Sequence, residues 1–296
     1  MKLSGSDVHL LRIFDAVVRS GGFSAAQAEL NLSQPTISNH ITSLEQRLGV
    51  QLCQRGRRGF LITEKGQLVH ETSLSLLATM DDYSTRLSDL KGKLVGKLRV
   101  ATVDCIASDP NMKLPETFAR FTEQASAVEL ELTQERPQDL QRKVLDGVVH
   151  VGVGSFENRI YGLEYEELYT ERHSLYCAQS HPLFKTNESG LTIELISAYP
   201  SVHRGYWSKR LQKEAQGETS GTTVYQIEAQ LILVLSGRFL GLLPDHYARS
   251  YVEAGQLRAL LPEETQYVCA FQMVTKPGRK TRVVSTFMAD LREAFS

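Results

Sequence analysis

The side chains best suited to chemistry in the N-terminal part lie within residues 33–47 and carry hydroxyl, amide and imidazole groups. Such groups can hydrogen-bond to the edges of DNA bases, where Asn and Gln pair best with adenine and Thr can contact the thymine methyl. No Lys or Arg occurs between Arg19 and Arg47, so the usual arginine–guanine contact is missing from the middle of this segment. We therefore expect A·T pairs under Asn39 and Gln34. The predicted contact residues are Ser33, Gln34, Pro35, Thr36, Ser38, Asn39, His40 and Ser43.

A basic cluster follows in the sequence RGRRG at residues 55–59. Arg55, Arg57 and Arg58, together with Arg47, can contact phosphates, and the cluster can also reach a minor groove. Alternatives to base contact stay open here. The polar residues of 33–47 could face water in a generic helical domain. His40 could contact a phosphate or pack over its own helix.

Three predicted helices place these groups. The first spans residues 6–20 with Ser6 as its N-cap, the second is AAQAEL (25–30), and the third follows the N-cap Ser33. Ile37, Ile41, Leu44 and Leu48 form the core-facing stripe of the third helix, which leaves its polar face outward. Residues 50–66 alternate around a glycine-bearing turn, which predicts a small hairpin. Two helices joined by a short turn and followed by a basic hairpin are typical of a DNA-binding winged helix-turn-helix.

The charge distribution agrees with a nucleic-acid partner, although the 296 residues carry a formal net charge of only −1. Residues 1–65 carry a net charge of +3 and the remainder −4. A hydrophobic content of 42% is typical of globular chains, and no apolar run approaches the ~20 residues that span a bilayer. Four cysteines without a CxxC motif, and an N-terminus without the features of a signal peptide, predict a cytoplasmic protein with no membrane association.

The stretch from Phe23 to Gly66 closely resembles the winged helix-turn-helix of LysR-type transcriptional regulators. The resemblance rests on the small-residue second helix, the Ser-Gln-Pro-x-x-Ser opening of the third, and the residues Leu44, Glu45, Leu48, Gly49, Leu52, Arg55, Thr63 and Gly66. Gln27 stands where the family usually has Ala, and Cys53 where it usually has Phe. The resemblance implies a DNA-binding domain over residues 1–65.

A long helix is predicted for residues 66–91. Apolar residues recur every seven positions at Val69, Leu76, Tyr83 and Leu90, and a second row contains Ser73, Met80 and Leu87. Such a pattern indicates pairing of two helices, although packing on the helix's own domain stays an alternative. The family resemblance implies that this linker helix joins subunits, as a homodimer or homotetramer.

Residues 97–296 alternate short β-branched strands with helices, which predicts a parallel sheet in an α/β domain. The layout is similar to the LysR effector-binding domain, with lobe I at about 97–169 and 268–296 and lobe II at about 170–267. The predicted fold is therefore an all-α winged helix-turn-helix domain and a linker helix, followed by a C-terminal α/β effector domain. That domain has two Rossmann-like lobes, as in periplasmic binding proteins.

The family resemblance also implies a small-molecule pocket between the lobes, where open α/β sheets bind ligands. Arg204 or Arg136 could hold a carboxylate bidentately, and Asp104 could bind an amine or a hydroxyl. The loop after the first strand looks about three residues longer than usual, and His150 stands where Asp is common. The candidate pocket residues are Thr102, Val103, Asp104, Cys105, Gln134, Glu135, Arg136, His203, Arg204 and Tyr206.

The sequence lacks the common motifs of enzymes, so a catalytic function has little support. GVGSF (152–156) lacks the third glycine of a dinucleotide fingerprint, and the chain has no GxSxG, P-loop or HExxH motif. We expect no catalytic residue, cofactor or metal, and a regulator that binds an interrupted palindromic operator and responds to a small molecule. Contact with RNA polymerase follows from the resemblance alone. The alternative is an α/β binding protein or enzyme whose helical N-terminus mediates oligomerisation.

Overall fold

The computed structural model describes residues 2–56, 59–90, 92, 94–207 and 221–296. Arg57 and Arg58 of the basic cluster lie outside these residues, and the side chain of Arg55 is not described. The chain divides into two compact units, Met1–Ser84 and Thr85–Ser296. The division falls inside a long helix, between residues 65 and 91, the two boundaries that the sequence predicts for the linker. None of the described helices is both long enough and apolar enough to cross a membrane.

The first unit contains the predicted helix-turn-helix and hairpin. Its elements are α1 (Gly5–Arg19), α2 (Ala26–Leu30), α3 (Gln34–Leu48), β1 (Cys53–Gly56), β2 (Gly59–Ile62) and most of α4 (Glu64–Asp89). Strands β1 and β2 pair antiparallel. The buried side chains of Ile37, Ile41 and Leu44 pack with Phe14 and Val17 of α1, so the predicted core stripe of α3 is confirmed.

Helix α1 is capped two residues earlier than the sequence suggested. Its N-cap is Ser4, whose backbone N–H donates to Asp7 Oδ2 at 2.7 Å, and Ser6 is not the cap. The third helix is capped as predicted, because Ser33 Oγ accepts from the Thr36 N–H at 3.4 Å. Gly49 ends that helix in the left-handed conformation, with φ of 70°.

The second unit contains a mixed α/β fold. Its strands are β3 (Gly96–Thr102), β4 (Val128–Gln134), β5 (Val151–Ser155), β6 (Glu164–Ala178), β7 (Ser201–Arg204), β8 (Thr222–Val224), β9 (Leu240–Pro244), β10 (Leu257–Ala259) and β11 (Tyr267–Thr275). Its helices are α5 (Leu114–Gln124), α6 (Pro137–Leu145), α7 (Ile193–Ser197), α8 (Ile227–Leu235), α9 (Asp245–Glu253) and α10 (Arg282–Ala294).

The described strands of this unit form one sheet in the order β4-β3-β5-β11-β6-β9-β7-β8, with β10 also paired to β6. The parallel pairs β3–β4 and β3–β5 belong to one lobe, and β7–β8 and β7–β9 belong to the other. The antiparallel strands β6 and β11 lie between them. The long β6 pairs with β11 along its first half and with β9 and β10 along its second. The two lobes therefore share a central pair of strands, and the predicted fold class is confirmed.

The glycines of GVGSF are packing positions. A Cβ added at Gly152 would lie 2.1 Å from Leu140 Cδ2, and one at Gly154 would lie 2.6 Å from Val103 Cγ1. Glycine at these positions allows α6 and the end of β3 to approach β5 closely. This accounts for the motif without a dinucleotide.

Candidate nucleic-acid interface and small-molecule cleft

One face of α3 is polar and open to solvent. Asn39, Thr42, Ser43 and Gln46 are exposed and stand at spacings of three, four and seven residues, so they form one stripe opposite the buried core residues. The sequence analysis predicted Asn39 and Ser43 as contact residues but not Thr42 and Gln46. Thr42 and Gln46 lie three and seven residues after Asn39, and this helical spacing could have identified both.

The first turn of α3 uses some of its predicted contact residues for its own structure. The Ser33 and Thr36 hydroxyls lie 2.8 Å apart, and Ser33 also caps the helix. The Gln34 N–H donates to Gln27 Oε1 at 3.1 Å, so Gln27 joins α2 to the start of α3. Pro35 and the side chain of Gln34 are exposed. The exposed amide of Gln34 is therefore the group at this end best placed for a base.

His40 and Ser38 lie to the side of the polar stripe. The His40 ring packs edge-on against His9 of α1, with the ring centroids 5.6 Å apart. Ser38 is half-buried. This packing favours the interpretation in which His40 covers its helix.

Arg47 is held by a buried carboxylate. Its Nη2 donates to Asp7 Oδ2 at 2.7 Å and its Nε to Asp7 Oδ1, while Asp7 is only 1% exposed. Hydrogen bonds from Arg47 and Ser4 lower the pKa of Asp7 to about 2. Arg47 therefore joins the end of α3 to the start of α1, and any phosphate contact that it makes has to share the guanidinium with Asp7.

The hairpin is positioned by residues at its base. Glu45 Oε1 accepts from the backbone N–H groups of Leu52 and Cys53, at 2.7 and 3.1 Å. Thr63 Oγ1 donates to the Gln51 carbonyl at 2.7 Å and accepts from the Gly66 N–H at 2.9 Å. These contacts give Glu45, Thr63 and Gly66 a structural role in fixing β1 and β2 beside α3.

The second unit has a cleft between its two lobes. Four of the candidate pocket residues line it: Val103, Asp104, Arg204 and Tyr206. Neutral polar groups and aromatic rings make up most of the remaining lining. They include Gln138, Gln141, Ser155, Asn158, Phe156, Trp207, Tyr267 and Phe271.

Three of the other candidates do not line the cleft. Thr102 and His203 are buried within β3 and β7, and burial lowers the pKa of His203. Cys105 is partly buried against the core of lobe II, and desolvation raises the thiol pKa to about 12. These three side chains pack within the lobes.

The last three candidates follow β4 at the edge of the sheet and do not line the cleft either. Gln134 and Arg136 are exposed, and the Arg136 guanidinium lies 5.0 Å from the Tyr225 ring centroid. Glu135 accepts a charged hydrogen bond from Lys143 of α6. Arg136 is therefore not the cation of the cleft.

Arg204 is the buried cation of the cleft, with only 4% of its surface exposed. Its Nε donates to Gln230 Oε1, and its Nη2 donates to the Leu242 carbonyl and to His173 Nδ1, each at 3.1 Å. The guanidinium also lies 4.8 Å from the Trp207 ring centroid. These bonds use Nε and both hydrogens of Nη2, and the Tyr206 hydroxyl also hydrogen-bonds to the guanidinium. A bidentate carboxylate contact of the kind that the sequence suggested would compete with these partners.

The crossing strands supply cleft residues that sequence reasoning missed, namely Glu171, His173, Tyr267 and Cys269. Because His173 Nδ1 accepts from Arg204, its single proton is on Nε2 and is donated to Glu171 Oε2. Burial disfavours the charged form of Glu171, but hydrogen bonds from His173 and His246 outweigh it and lower the pKa to about 2. The signal that could have found these residues is the occurrence of titratable side chains in a strand whose last residues are buried.

Asp104 connects the lobes across the cleft. Its Oδ2 accepts from the Ile227 N–H at 2.7 Å, at the N-terminus of α8. A carboxylate is favoured there because the first backbone N–H groups of a helix lack partners within the helix. Asp104 follows a lobe I strand and α8 belongs to lobe II, so this bond spans the cleft.

Comparisons with known proteins match this architecture throughout. Residues 8–67 match the profile of the bacterial regulatory helix-turn-helix protein, lysR family, and residues 91–296 that of the LysR substrate binding domain. The chain is 36% identical to the HTH-type transcriptional activator BauR of Pseudomonas aeruginosa over 287 residues, covering 96% of this chain and 93% of BauR.

Two solved structures show the same fold. Full-length CbnR complexed with its target DNA is 19% identical with a TM-score of 0.65, over 98% of this chain and 99% of CbnR. LysG of Corynebacterium glutamicum with the bound effector Arg is 20% identical with a TM-score of 0.51, over 97% of both chains.

Proposed function

Because this chain belongs to the LysR family of transcriptional regulators, we propose specific roles for the two surfaces described above. The protein is a DNA-binding transcriptional regulator with an effector-binding domain. We assign base recognition to the exposed face of α3 and effector recognition to the cleft around Arg204. We place this regulator in the cytoplasm, together with the DNA that it binds. Two paired DNA-binding domains would contact two half-sites, so we propose an interrupted palindromic operator.

The observation that supports base recognition is the stripe Asn39, Thr42, Ser43 and Gln46, exposed on the face of α3 opposite the core. The described part of this face carries amides and hydroxyls without a cation, so it suits adenine and thymine rather than guanine. Arg55, Arg57 and Arg58 of the hairpin supply affinity by contacting phosphates, which sets the orientation but not the sequence preference. Because different residues contact the bases and the phosphates, a substitution can change the sequence specificity of binding without changing its salt dependence.

Replacing Asn39 with Ala tests this assignment. We expect the sequences selected from a random DNA library to lose their preference at one A·T position in each half-site. Affinity for the wild-type consensus should fall by about 1–3 kcal/mol with an unchanged salt dependence. Glu71→Ala, at an exposed position of α4, is the control. An Asn39→Ala protein that selects the wild-type consensus would contradict the assignment.

We further propose that the C-terminal part of α4 pairs two subunits. Val69 and Leu76 of the predicted heptad pack on the core of their own unit, and Ser73 is buried. Met80, Tyr83, Leu87 and Leu90 are instead exposed, by 39%, 64%, 47% and 83% of their surfaces. Exposed apolar side chains repeated at helical spacing are typical of a surface that a partner covers. Packing on the helix's own domain therefore accounts for Val69, Ser73 and Leu76, but not for the exposed residues from Met80 onward.

Introducing charge at this surface should separate the subunits. We expect Tyr83→Glu with Leu87→Glu to shift the protein to monomers in analytical ultracentrifugation, because each buried apolar contact would be replaced by a carboxylate pair. Operator affinity should fall with it, since two linked half-site contacts bind far more tightly than one. Ser84→Glu adds the same charge on a neighbouring face and should remain oligomeric. Unchanged mass for the double variant would contradict pairing through this surface.

The cleft favours a small ligand with an anionic group and a separate amine or hydroxyl. The buried guanidinium of Arg204, with the Tyr206 hydroxyl beside it, offers a positive hydrogen-bonding site for a carboxylate. Asp104, Glu157 and Glu171 also line the cleft, so its acidic groups outnumber this cation. A plain anion would meet their repulsion, whereas a ligand that also carries a cationic or hydroxyl end would not. Tetramer formation and a contact with RNA polymerase complete the proposal, on the strength of the family resemblance.

A further inference from the structure

Beside the cleft lies a second cluster of titratable side chains, Asp109, Glu171 and His246. The loop after β3 brings Asp109 to Glu171 of β6 and His246 of α9. Asp109 is 6% exposed and Glu171 7%, and the His246 side chain is 6% exposed. Asp109 and His246 do not line the cleft as Glu171 does. The cluster is therefore a buried feature that effector binding does not explain.

One carboxylate oxygen of this cluster makes no hydrogen bond of ordinary geometry among the described residues. Asp109 Oδ1 accepts from the Asn111 N–H at 2.9 Å, whereas Asp109 Oδ2 is buried and unsatisfied, as is the hydroxyl of Tyr169, whose side chain neighbours Asp109. The nearest basic nitrogen found for Oδ2 is His246 Nε2, at 3.9 Å. A buried carboxylate oxygen without a partner is costly, and such an oxygen points to a bound water or ion.

The charges around the cluster also favour a cation. Asp109 and Glu171 are two carboxylates, and Arg204 is the cation that reaches them through His173. His173 carries one proton and no charge, because its Nδ1 accepts from Arg204. Asp109 and Glu171 together carry two negative charges, which equal the charge of one divalent ion bound by both carboxylates.

The ligand atoms stand close to the spacing of a metal site. His246 Nε2 lies 2.8 Å from Glu171 Oε1, and the three ligand atoms lie within 4.8 Å of one another. Ligands about 2.0–2.2 Å from a tetrahedral ion are themselves roughly 3.3–3.6 Å apart, so small shifts would suffice. Ser108 Oγ lies 2.9 Å from His246 Nδ1. A bound metal would take the place of the proton that His246 Nε2 donates to Glu171, and the neutral ring would then keep its proton on Nδ1, where Ser108 Oγ accepts it and orients the ring.

We propose that Asp109, Glu171 and His246 bind one divalent transition-metal ion, of which Zn²⁺ is the best fit. One imidazole and two carboxylates suit Zn²⁺, Mn²⁺ and Fe²⁺, and Zn²⁺ binds the more tightly at such sites. The ligands come from a lobe I loop, a shared strand and a lobe II helix. A bound ion therefore fixes the angle between the lobes.

A neighbouring trio, Glu171, His173 and Cys269, is a poorer site although its ligand atoms are also close together. His173 Nε2 carries the proton that it donates to Glu171, so it has no lone pair for a metal. Burial together with the Glu171 carboxylate raises the pKa of Cys269 to about 12, which keeps the thiol protonated. Glu171 Oε1 is free of this trio and faces His246.

The test uses the full-length, tag-free protein after treatment with a chelator. Titration with Co²⁺, followed by its visible absorption, and competition with Zn²⁺ should give one tight site per chain. Asp109→Asn and His246→Gln should each weaken binding at least tenfold, and Ser108→Ala about 10- to 100-fold. Asp245→Asn, next to His246 but paired with Arg172, is the matched control and should bind like the wild type.

Absence of a tight site in the wild-type protein would overturn the proposal, whether or not the variants fold. That result would leave a bound water as the partner of Asp109 Oδ2. Binding that neither Asp109→Asn nor His246→Gln weakens would also overturn it, because the ion would then be held elsewhere.

Discussion

Replacing Arg204 with Lys is expected to abolish the effector response while leaving operator binding intact. The Arg204 guanidinium holds Gln230, His173 and the Leu242 carbonyl together beneath the cleft. A lysine keeps the charge that compensates Glu171 but cannot make these divergent bonds and also meet a ligand. We expect ligand affinity to fall by about 2–4 kcal/mol, a loss in the range seen when one partner of a buried charged hydrogen bond is removed.

The measurement is the shift in melting temperature caused by a panel of small carboxylic and amino acids, together with effector-dependent changes in operator binding. Arg136→Lys is the matched control, because Arg136 was the other candidate for a carboxylate but is exposed at the sheet edge. It should keep the wild-type response. Arg204→Met removes the charge altogether and should destabilise the second unit by about 3–5 kcal/mol. A wild-type effector response in Arg204→Lys would contradict our assignment of the cleft.

Replacing Gly66 with Ala is expected to disable DNA binding from a position that contacts no DNA. An added Cβ would lie 2.1 Å from the Leu52 carbonyl oxygen and 2.9 Å from Ile62 Cγ1. The carbonyl cannot move freely, since it accepts the Thr63 N–H at 2.9 Å and Leu52 is fully buried. Separation of α4 from the base of the hairpin should lower the free energy of unfolding of the first unit by about 1–3 kcal/mol.

Displacement of the hairpin should also move its arginines away from the phosphates. The slope of log affinity against log salt should therefore become shallower by about one for each phosphate that the hairpin no longer neutralises. Urea unfolding and DNA binding at several salt concentrations measure the two effects. Gly5→Ala is the control, because a Cβ at Gly5 meets nothing within 4 Å. A Gly66→Ala protein with wild-type stability and salt slope would show that this close approach does not position the hairpin.

The regular elements of the first unit were predictable because short-range rules specify them. The buried stripe of α3, its Ser33 cap and its Gly49 terminus follow from helical spacing and from the backbone groups left unpaired at helix ends. The cap of α1 was misplaced by two residues. Both Ser4 and Ser6 are acceptable caps locally, and the choice depends on Asp7, which also binds Arg47 from α3.

The cleft was predictable only in part. Asp104 lies just beyond β3 and Arg204 is the last residue of β7, so topology and family resemblance located them. Glu171, His173 and Cys269 come from β6 and β11, whose sequences do not show which residues reach the cleft. Strand β6 pairs with β11 as far as His173 and with β9 from His173 onward, and these pairings join residues that are 65 or more positions apart in the sequence.

The sequence by itself determined that this chain is a DNA-binding regulator, because the helix-turn-helix depends on contacts between residues near in sequence. Tertiary structure alone decided which polar side chains are free to bind. It paired Arg47 with Asp7, packed the partly buried Cys105 against the core of lobe II, and brought Asp109, Glu171 and His246 together from distant segments. The physical reason is that a side chain's charge, partners and exposure depend on neighbours brought by the fold, which local sequence does not encode.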